Sequence, residues 1–206
     1  MLTVDIGNWE EVKDLILNGH YLHRRPNSIA IHTLKLNNEI KGCIIWGLPS
    51  SPNVSRGLCG VEHEKEVIEL KRLYTFDDMP KNTESWFISK SIKLLPNKYK
   101  ILISYAEPSH GHRGVVYQAS NWTYVGLTAN RVDYKKKGKH VRTTSTYLKS
   151  LGGGEKASDS HSDIQHIRRP RKHRYVYFRG TKVEKKHRLK SLKYAIKPYA
   201  KEEKAN

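Results

Sequence analysis

Apolar positions recur at helical spacing in "NWEEVKDLILNGHYLHRRP", where Val12, Leu15 and Ile16 share one face. Asn8 stands where an N-cap belongs, acidic residues follow in the first turn, and Gly19 and Pro26 close the segment. The period then shortens to two. "SIAIHTLKL" and "EIKGCIIWGLP" read as strands joined at Asn37-Asn38, a hairpin signal. Residues 49–64, rich in Pro, Ser and Gly, read as loop. "EVIELKRLYTF" alternates Ile68 and Leu70 with Glu69 and Lys71, the pattern of a strand with one wet face. A helix starts near Asn82, with Trp86, Ile88, Ile92 and Leu95 as its apolar side, and "KYKILISYA" is continuous enough for a strand covered on both faces. "VVYQAS" reads as a short helix, "WTYVGLT" as a strand, "KHRYVYFRG" as a strand returning to the sheet and "KVEKKHRLKSLKYAI" as a short basic helix ended by Pro198. Strands and helices in this alternation predict an α+β (α/β) fold with helices packed on a mixed sheet.

Charge divides the chain more sharply than hydrophobicity does. Residues 1–130 hold 15 Lys and Arg against 13 Asp and Glu, whereas residues 131–206 hold 23 against 7, so nearly all of the net +18 lies in the last third. We therefore expect a catalytic core over 1–130 and a basic segment over 131–206 that returns to the core, with a flexible loop at 152–166. Such a field attracts polyanions, nucleic acid first, and the interleaved Tyr134, Tyr147, Tyr175, Tyr177, Phe178, Tyr194 and Tyr199 suit a nucleic-acid groove as well as a core. The candidate DNA-contacting cations are Lys135, Lys136, Lys137, Lys139, Arg142, Arg168, Arg169, Arg171, Lys172 and Arg174. No apolar run approaches bilayer length, and Cys43 and Cys59 have neither metal-site nor disulfide spacing, so a soluble cytoplasmic protein with two buried thiols is expected.

Phosphate-loop, dinucleotide and nucleophile-elbow motifs are absent, which removes most readily named enzymes. What remains is "ISYAEPSHGHRGVVYQASNW", an apolar strand followed by a turn carrying Glu107, His110, His112 and Arg113. At a strand end, a partly desolvated Glu107 would have its pKa raised enough to take a proton from a poorly acidic amine; the plainer reading pairs it with Arg113 or has it cap the next helix. Tyr117, ten residues on, can donate a proton to a leaving group or simply cap a core. Arg72, beside a helix start that carries Asn82 and Ser85, makes a natural anion site, although both residues can equally be caps. His20 and His23 form an HxxH at a helix end.

Together, "GHYLHR", "ELKRLYTFDDMPKNTES", "ISYAEPSHGHRGVVYQASNWTYVG", "RRPRKHRYVYFRG" and "KPYAK" resemble the Mom family of bacteriophage DNA-modification proteins, relatives of the GCN5-related N-acetyltransferase (GNAT-like) fold. The resemblance implies conversion of adenine N6 in double-stranded DNA to a carbamoylmethyl (acetamido) form that shields phage DNA from restriction. Carried over by motif, the functional positions are His20, Tyr21, Arg72, Ser85, Glu107 and Tyr117, with Glu107 where the family pattern carries Asp. On this reading an adenine flips into a pocket of His20, Tyr21, Glu107 and Tyr117, while Arg72 and the helix start by Asn82 and Ser85 hold the donor. The donor is open between acetyl-CoA, another CoA-type molecule and a glycine-derived one. The fold's usual Gly-rich pyrophosphate loop is not evident between Leu73 and Ser85, which argues against ordinary acetyl-CoA binding. A metal such as iron, held by His20 and Glu107, would change the chemistry, and a homodimer is one arrangement left open. The competing readings are an N-acetyltransferase acting on a protein or small amine, and a non-catalytic DNA-binding protein on the same fold.

Overall fold

The computed structural model describes residues 1–136 and 164–200. Its main sheet has seven strands in the order β1 (Leu2–Gly7), β2 (Ala30–Leu36), β3 (Glu39–Gly47), β4 (Val67–Thr75), β5 (Ile101–Ala106), β9 (His173–Phe178) and β6 (Thr123–Leu127). All neighbours are antiparallel except β4 and β5, so the sheet is mixed, as expected. A separate two-stranded ribbon pairs β7 (Arg131–Lys136) with β8 (Ile164–Arg169). The first strand was not evident in the sequence: its residues are only half buried on a sheet edge, so its apolar alternation is weak.

Local chemistry accounts for the elements that the pattern did predict. Asn8 and Glu11 form a reciprocal capping box at the start of α1 (Trp9–Asp14), which continues as one wider helical turn, Leu15–Gly19. Asn37 and Asn38 both take positive φ, as a tight hairpin turn between β2 and β3 requires. The expected loop at 49–64 needs correction, because Pro52–Cys59 is a helix, α2, with proline in its first turn. Its Pro, Ser and Gly content disguised an apolar side, on which Leu58 and Cys59 are buried.

Helices cover both faces. On one side α3 (Thr83–Leu94) and α4 (Val115–Ala119) bury Phe87, Ile88, Ile92 and Tyr117 against Ile68, Leu70, Leu102, Trp122 and Tyr175. His32 Nδ1 and Trp46 Nε1 both meet Ser91 Oγ, at 2.6 and 2.7 Å, which locks α3 to the sheet. The opposite face seats α1 on Ile31, Cys43 and Ile45, and α2 on Val67, Ile101, Ile103, Val176 and Phe178. Helix α5 (Lys182–Ser191) carries its own capping box, from Thr181 and Glu184, and ends before Leu192 rather than at Pro198. Beyond it Tyr199 donates to Trp122 O at 2.8 Å and Lys197 N–H to Tyr124 O at 2.9 Å, strapping the following chain along β6.

Both thiols are buried as expected, and burial pushes Cys43 up to about 12 and Cys59 to about 11. No helix among the described residues is long and apolar enough to cross a membrane.

Candidate active site

Strands β4 and β5 pair only over Val67–Glu69 and Ile101–Ile103. Beyond that point β3 holds β4 and β9 holds β5, so the two central strands diverge and leave a fork. The fork opens on a groove of about 960 Å³, within the ~300–1,000 Å³ range of small-molecule sites. Its walls include Tyr21, Arg24, Arg25, Lys71, Arg72, Arg131, Arg169, Lys172 and Arg174, so an anion entering it meets guanidinium and ammonium groups from four parts of the chain.

Two segments meet at this fork. Past α1, the chain presses Gly19 on the ring of Tyr74, so closely that a Cβ there would lie 2.5 Å from the ring. That contact delivers His20 and Tyr21, whose rings stack at 4.4 Å; Tyr21 in turn lies 4.4 Å from the ring of His110 and 5.4 Å from that of His112. His20 is buried, and burial, reinforced by the charge of Arg72, lowers its pKa to about 4. Its Nδ1 accepts from Leu22 N–H at 3.1 Å, which places the ring proton on Nε2. In that tautomer His20 is a neutral donor, a state that suits neither a base nor a metal ligand at Nε2. No group of three or more His, Cys, Asp or Glu side chains is gathered for a metal among the described residues.

Glu107 departs from expectation. Burial does raise its pKa, but the bond and charge of Lys172, whose Nζ lies 2.5 Å from Oε2, outweigh burial and hold the carboxyl below its usual range. Glu107 is thus an ionised acceptor paired with Lys172, not the raised-pKa carboxyl foreseen. Its charge, after burial, raises the pKa of Tyr21. Tyr117 is a buried member of the core beside the fork and is not on the groove lining. Gly114, at φ 82 with Tyr175 packed against its Cα, starts α4 so that the Tyr117 hydroxyl reaches Ser104 Oγ at 2.8 Å, and Ser104 also bonds Leu70 O at 3.1 Å across the fork. Because Ser104 has one proton, it either donates to Leu70 and accepts from Tyr117, or donates to Tyr117 and frees the phenol proton. Burial raises the Tyr117 pKa, so the phenol keeps that proton at neutral pH.

Arg72 is buried and donates to Lys71 O and Arg24 O, while its Nε has no partner among the described residues. Asn82 and Ser85 lie away from the groove lining: Asn82, at φ 68, makes no side-chain cap, and Ser85 Oγ donates to Asn82 O at 3.0 Å. Asp77 and Asp78 precede this helix start, Glu84 is in its first turn and no glycine intervenes, so the local chemistry does not fit a diphosphate.

Of the cations expected to face DNA, Lys135, Arg168, Arg169 and Arg171 are exposed, with Arg169 paired to Asp133 and Arg171 donating to Thr128 O. Lys136 ends β7, Lys172 and Arg174 are half-buried in the groove, and Lys137, Lys139 and Arg142 lie outside the described residues. Of the loop expected at 152–166, Ile164 to His166 belong to β8 and the remainder lies outside the described residues.

The sequence reading missed Glu69 and Lys71. Their alternation with Ile68 and Leu70 suggested a wet face, yet Lys71 Nζ and Glu69 Oε2 meet at 2.8 Å with both side chains largely buried on the groove floor. Charges on a central strand were the signal available.

A sequence profile of the Mom protein family matches residues 1–201. The methylcarbamoylase mom of Escherichia phage Mu is 28% identical over 194 residues, covering 92% of this chain and 79% of the phage protein. Among solved structures, yncA of Salmonella typhimurium, named as an acetyltransferase and solved with acetyl-CoA, aligns over 88% of this chain and 95% of its own at a TM-score of 0.50 and 8% identity. A GNAT family acetyltransferase of Elizabethkingia anophelis aligns over 86% and 98% at a TM-score of 0.46 and 16% identity. The likeness to yncA bears on the fold, a mixed sheet flanked by helices.

Proposed function

Because this chain belongs to the Mom protein family, we propose that it is a DNA-modifying transferase that converts adenine to its N6-carbamoylmethyl form in double-stranded DNA and so protects phage DNA from restriction in the host cytoplasm. The observation that carries this reading is that Tyr21 and Arg72 line a strongly cationic groove at the fork, with Glu107 joined to it through Lys172 and the Ser104–Tyr117 pair through Leu70.

The exocyclic amine is a poor nucleophile, so transfer requires close positioning and proton removal. An adenine swung out of the helix enters the fork, since its N6 cannot be reached while stacked. Tyr21 and the rings of His20, His110 and His112 packed about it form an aromatic wall beside the base. As the bond from N6 to the methylene carbon forms, N6 becomes positively charged and strongly acidic, and Glu107, ionised beside Lys172 and a weaker base than a raised-pKa carboxylate, takes its proton. The bond from that carbon to the leaving group breaks, and the leaving group takes the electron pair and the Tyr117 proton. Ser104 then steadies the phenolate.

The donor is a carrier of an acetamido group, CoA-type or glycine-derived, and the unpartnered Nε of buried Arg72 is the cation for its phosphate or carboxylate. The acidic turn before α3 leaves no ordinary diphosphate seat, so acetyl-CoA in its usual pose does not fit. Outside the fork, the β7–β8 ribbon with Lys135, Lys136, Arg168 and Arg169, together with Arg171, Lys137, Lys139 and Arg142, grips the DNA backbone.

The test is to express the chain with a plasmid, digest the DNA to nucleosides and measure their masses. A deoxyadenosine heavier by one acetamide group supports the reading. Unmodified deoxyadenosine from cells whose extract shows intact DNA binding by the chain refutes it in favour of a binding protein on the same fold.

A further inference from the structure

The groove floor carries a charge pair that the proposed reaction leaves without a task. Glu69 is the last residue of β4 paired with β5, opposite Ile103, at the point where the fork begins. Lys71, two residues on, is the extra residue where the pairing of β4 with β3 shifts register, and its Nζ lies 2.8 Å from Glu69 Oε2. An ion pair this buried gives up its hydration for little net stability, and apolar residues of the same volume would hold a central strand at least as well. The surroundings are those of a ligand seat. Tyr105 and Tyr194 line the same groove, the Arg174 guanidinium lies 4.1 Å from the Tyr194 ring centre, and Arg174 Nε is buried with no partner among the described residues. Two rings, an acceptor, a donor and an unanswered N–H are the parts needed to hold a flat heterocycle attached to a phosphate.

We propose that Glu69 and Lys71 read the edge of the extruded base. The Glu69 carboxylate accepts one N6 hydrogen of adenine, and the Lys71 ammonium donates to ring N1. Guanine and thymine present the opposite pattern, a carbonyl beside an N–H, so each would set like against like at both positions. Adenine N6 has two hydrogens: Glu69 holds one, and the other faces Glu107, whose partner Lys172 also acts on Glu69. Lys71 and Glu69 are thus specificity residues, separate from the proton acceptor. This assignment rests on the groove being the seat of an extrahelical adenine.

Hypoxanthine tests it directly, because it keeps the shape of adenine while turning the 6-position into an acceptor and N1 into a donor. The full chain is titrated with two short duplexes that differ only in whether adenine or hypoxanthine stands opposite an abasic site, at a salt concentration that suppresses non-specific binding. The expected result is a preference for adenine of about tenfold or more, the size of a good two-point base contact. Replacing Glu69→Gln with Lys71→Met removes that preference. The exchange Glu69→Lys with Lys71→Glu retains a pair on the strand and removes or inverts it, and a cooperative thermal melt shows that each variant is folded. Equal affinity of the wild type for the two duplexes overturns the assignment, as does a preference that survives in the variants, which would make the pair structural. If plasmid adenine is modified but no preference exists, only this assignment falls. If the preference exists and plasmid adenine is unmodified, the pair stands and the transferase reading falls.

Discussion

Replacing Tyr117 by phenylalanine separates the chemical role of its hydroxyl from its place in the core. The ring is buried, with centres 5.3 Å from Trp122 and 5.2 Å from Tyr175, and phenylalanine keeps both contacts. Only the hydroxyl at 2.8 Å from Ser104 Oγ is lost, and Ser104 keeps its bond to Leu70 O at 3.1 Å, so no buried donor is stranded. The structural cost is therefore one ordinary hydrogen bond, about 1 kcal/mol. In a chain of this size that lowers Tm by about 2–4 °C. If the phenol supplies the proton to the leaving group, its removal slows transfer by about 10²- to 10⁴-fold. The assay reads carbamoylmethyl-deoxyadenosine after a brief induction, with thermal melting and DNA retention measured on the same protein. Product within about twofold of wild type would refute the proton-donor role. A Tm drop above about 10 °C together with lost DNA retention would show that the Tyr117 hydroxyl is structural.

Gly19→Ala should drive a methyl into the Tyr74 ring, displace His20 and Tyr21 and cost about 1–3 kcal/mol, while adding Tyr74→Ala should restore product formation in the nucleoside assay. Stability should fall with acidification: His20 and His32 both sit near pKa 4 through burial against about 6.5 unfolded, so the unfolded chain binds more protons between those values. Denaturation at pH 5 against pH 7 should show a loss of about 2 kcal/mol per histidine, reduced in His32→Gln by its share. Affinity for random duplex DNA should drop steeply as salt rises, with a log–log slope of several ions, and a flat response would contradict the role given to residues 131–206. Native protein should resist thiol reagents at pH 7, because Cys43 and Cys59 are buried with pKa values of about 12 and 11, and rapid labelling before unfolding would contradict this packing.

Elements with a single strong cause were legible in the chain. Asn8 with Glu11, Asn37-Asn38 and the continuous run of β5 each state one local preference, and the fold obeys all three. Helix α2 was obscured because Ser51, Pro52 and Asn53 are turn formers whose other use is to begin a helix, and only the packing of Leu58 and Cys59 decides between them. The site was legible in its residue types but not in its electrostatics. Glu107 and Tyr117 could be singled out by their neighbours in sequence, whereas Lys172, which sets the charge state of Glu107, arrives from 65 positions away through the pairing of β5 with β9. Glu69 was misjudged for a related reason. Alternation shows that a strand has two faces, but not that the polar one is roofed by a groove rather than by bulk water.

The ribbon interrupts what would otherwise be a plain hairpin. β6 and β9 lie side by side in the main sheet, and the chain leaves after Leu127 and rejoins at His173 through a neck where Thr128 N–H donates to Lys172 O at 2.9 Å and Lys172 N–H to Thr128 Oγ1 at 3.0 Å. A cassette fastened at so narrow a collar can change length without disturbing the pairing of β6 with β9. Lys172 is part of that collar and also partners Glu107, so a shift of the cassette is carried directly to the Glu107 carboxylate.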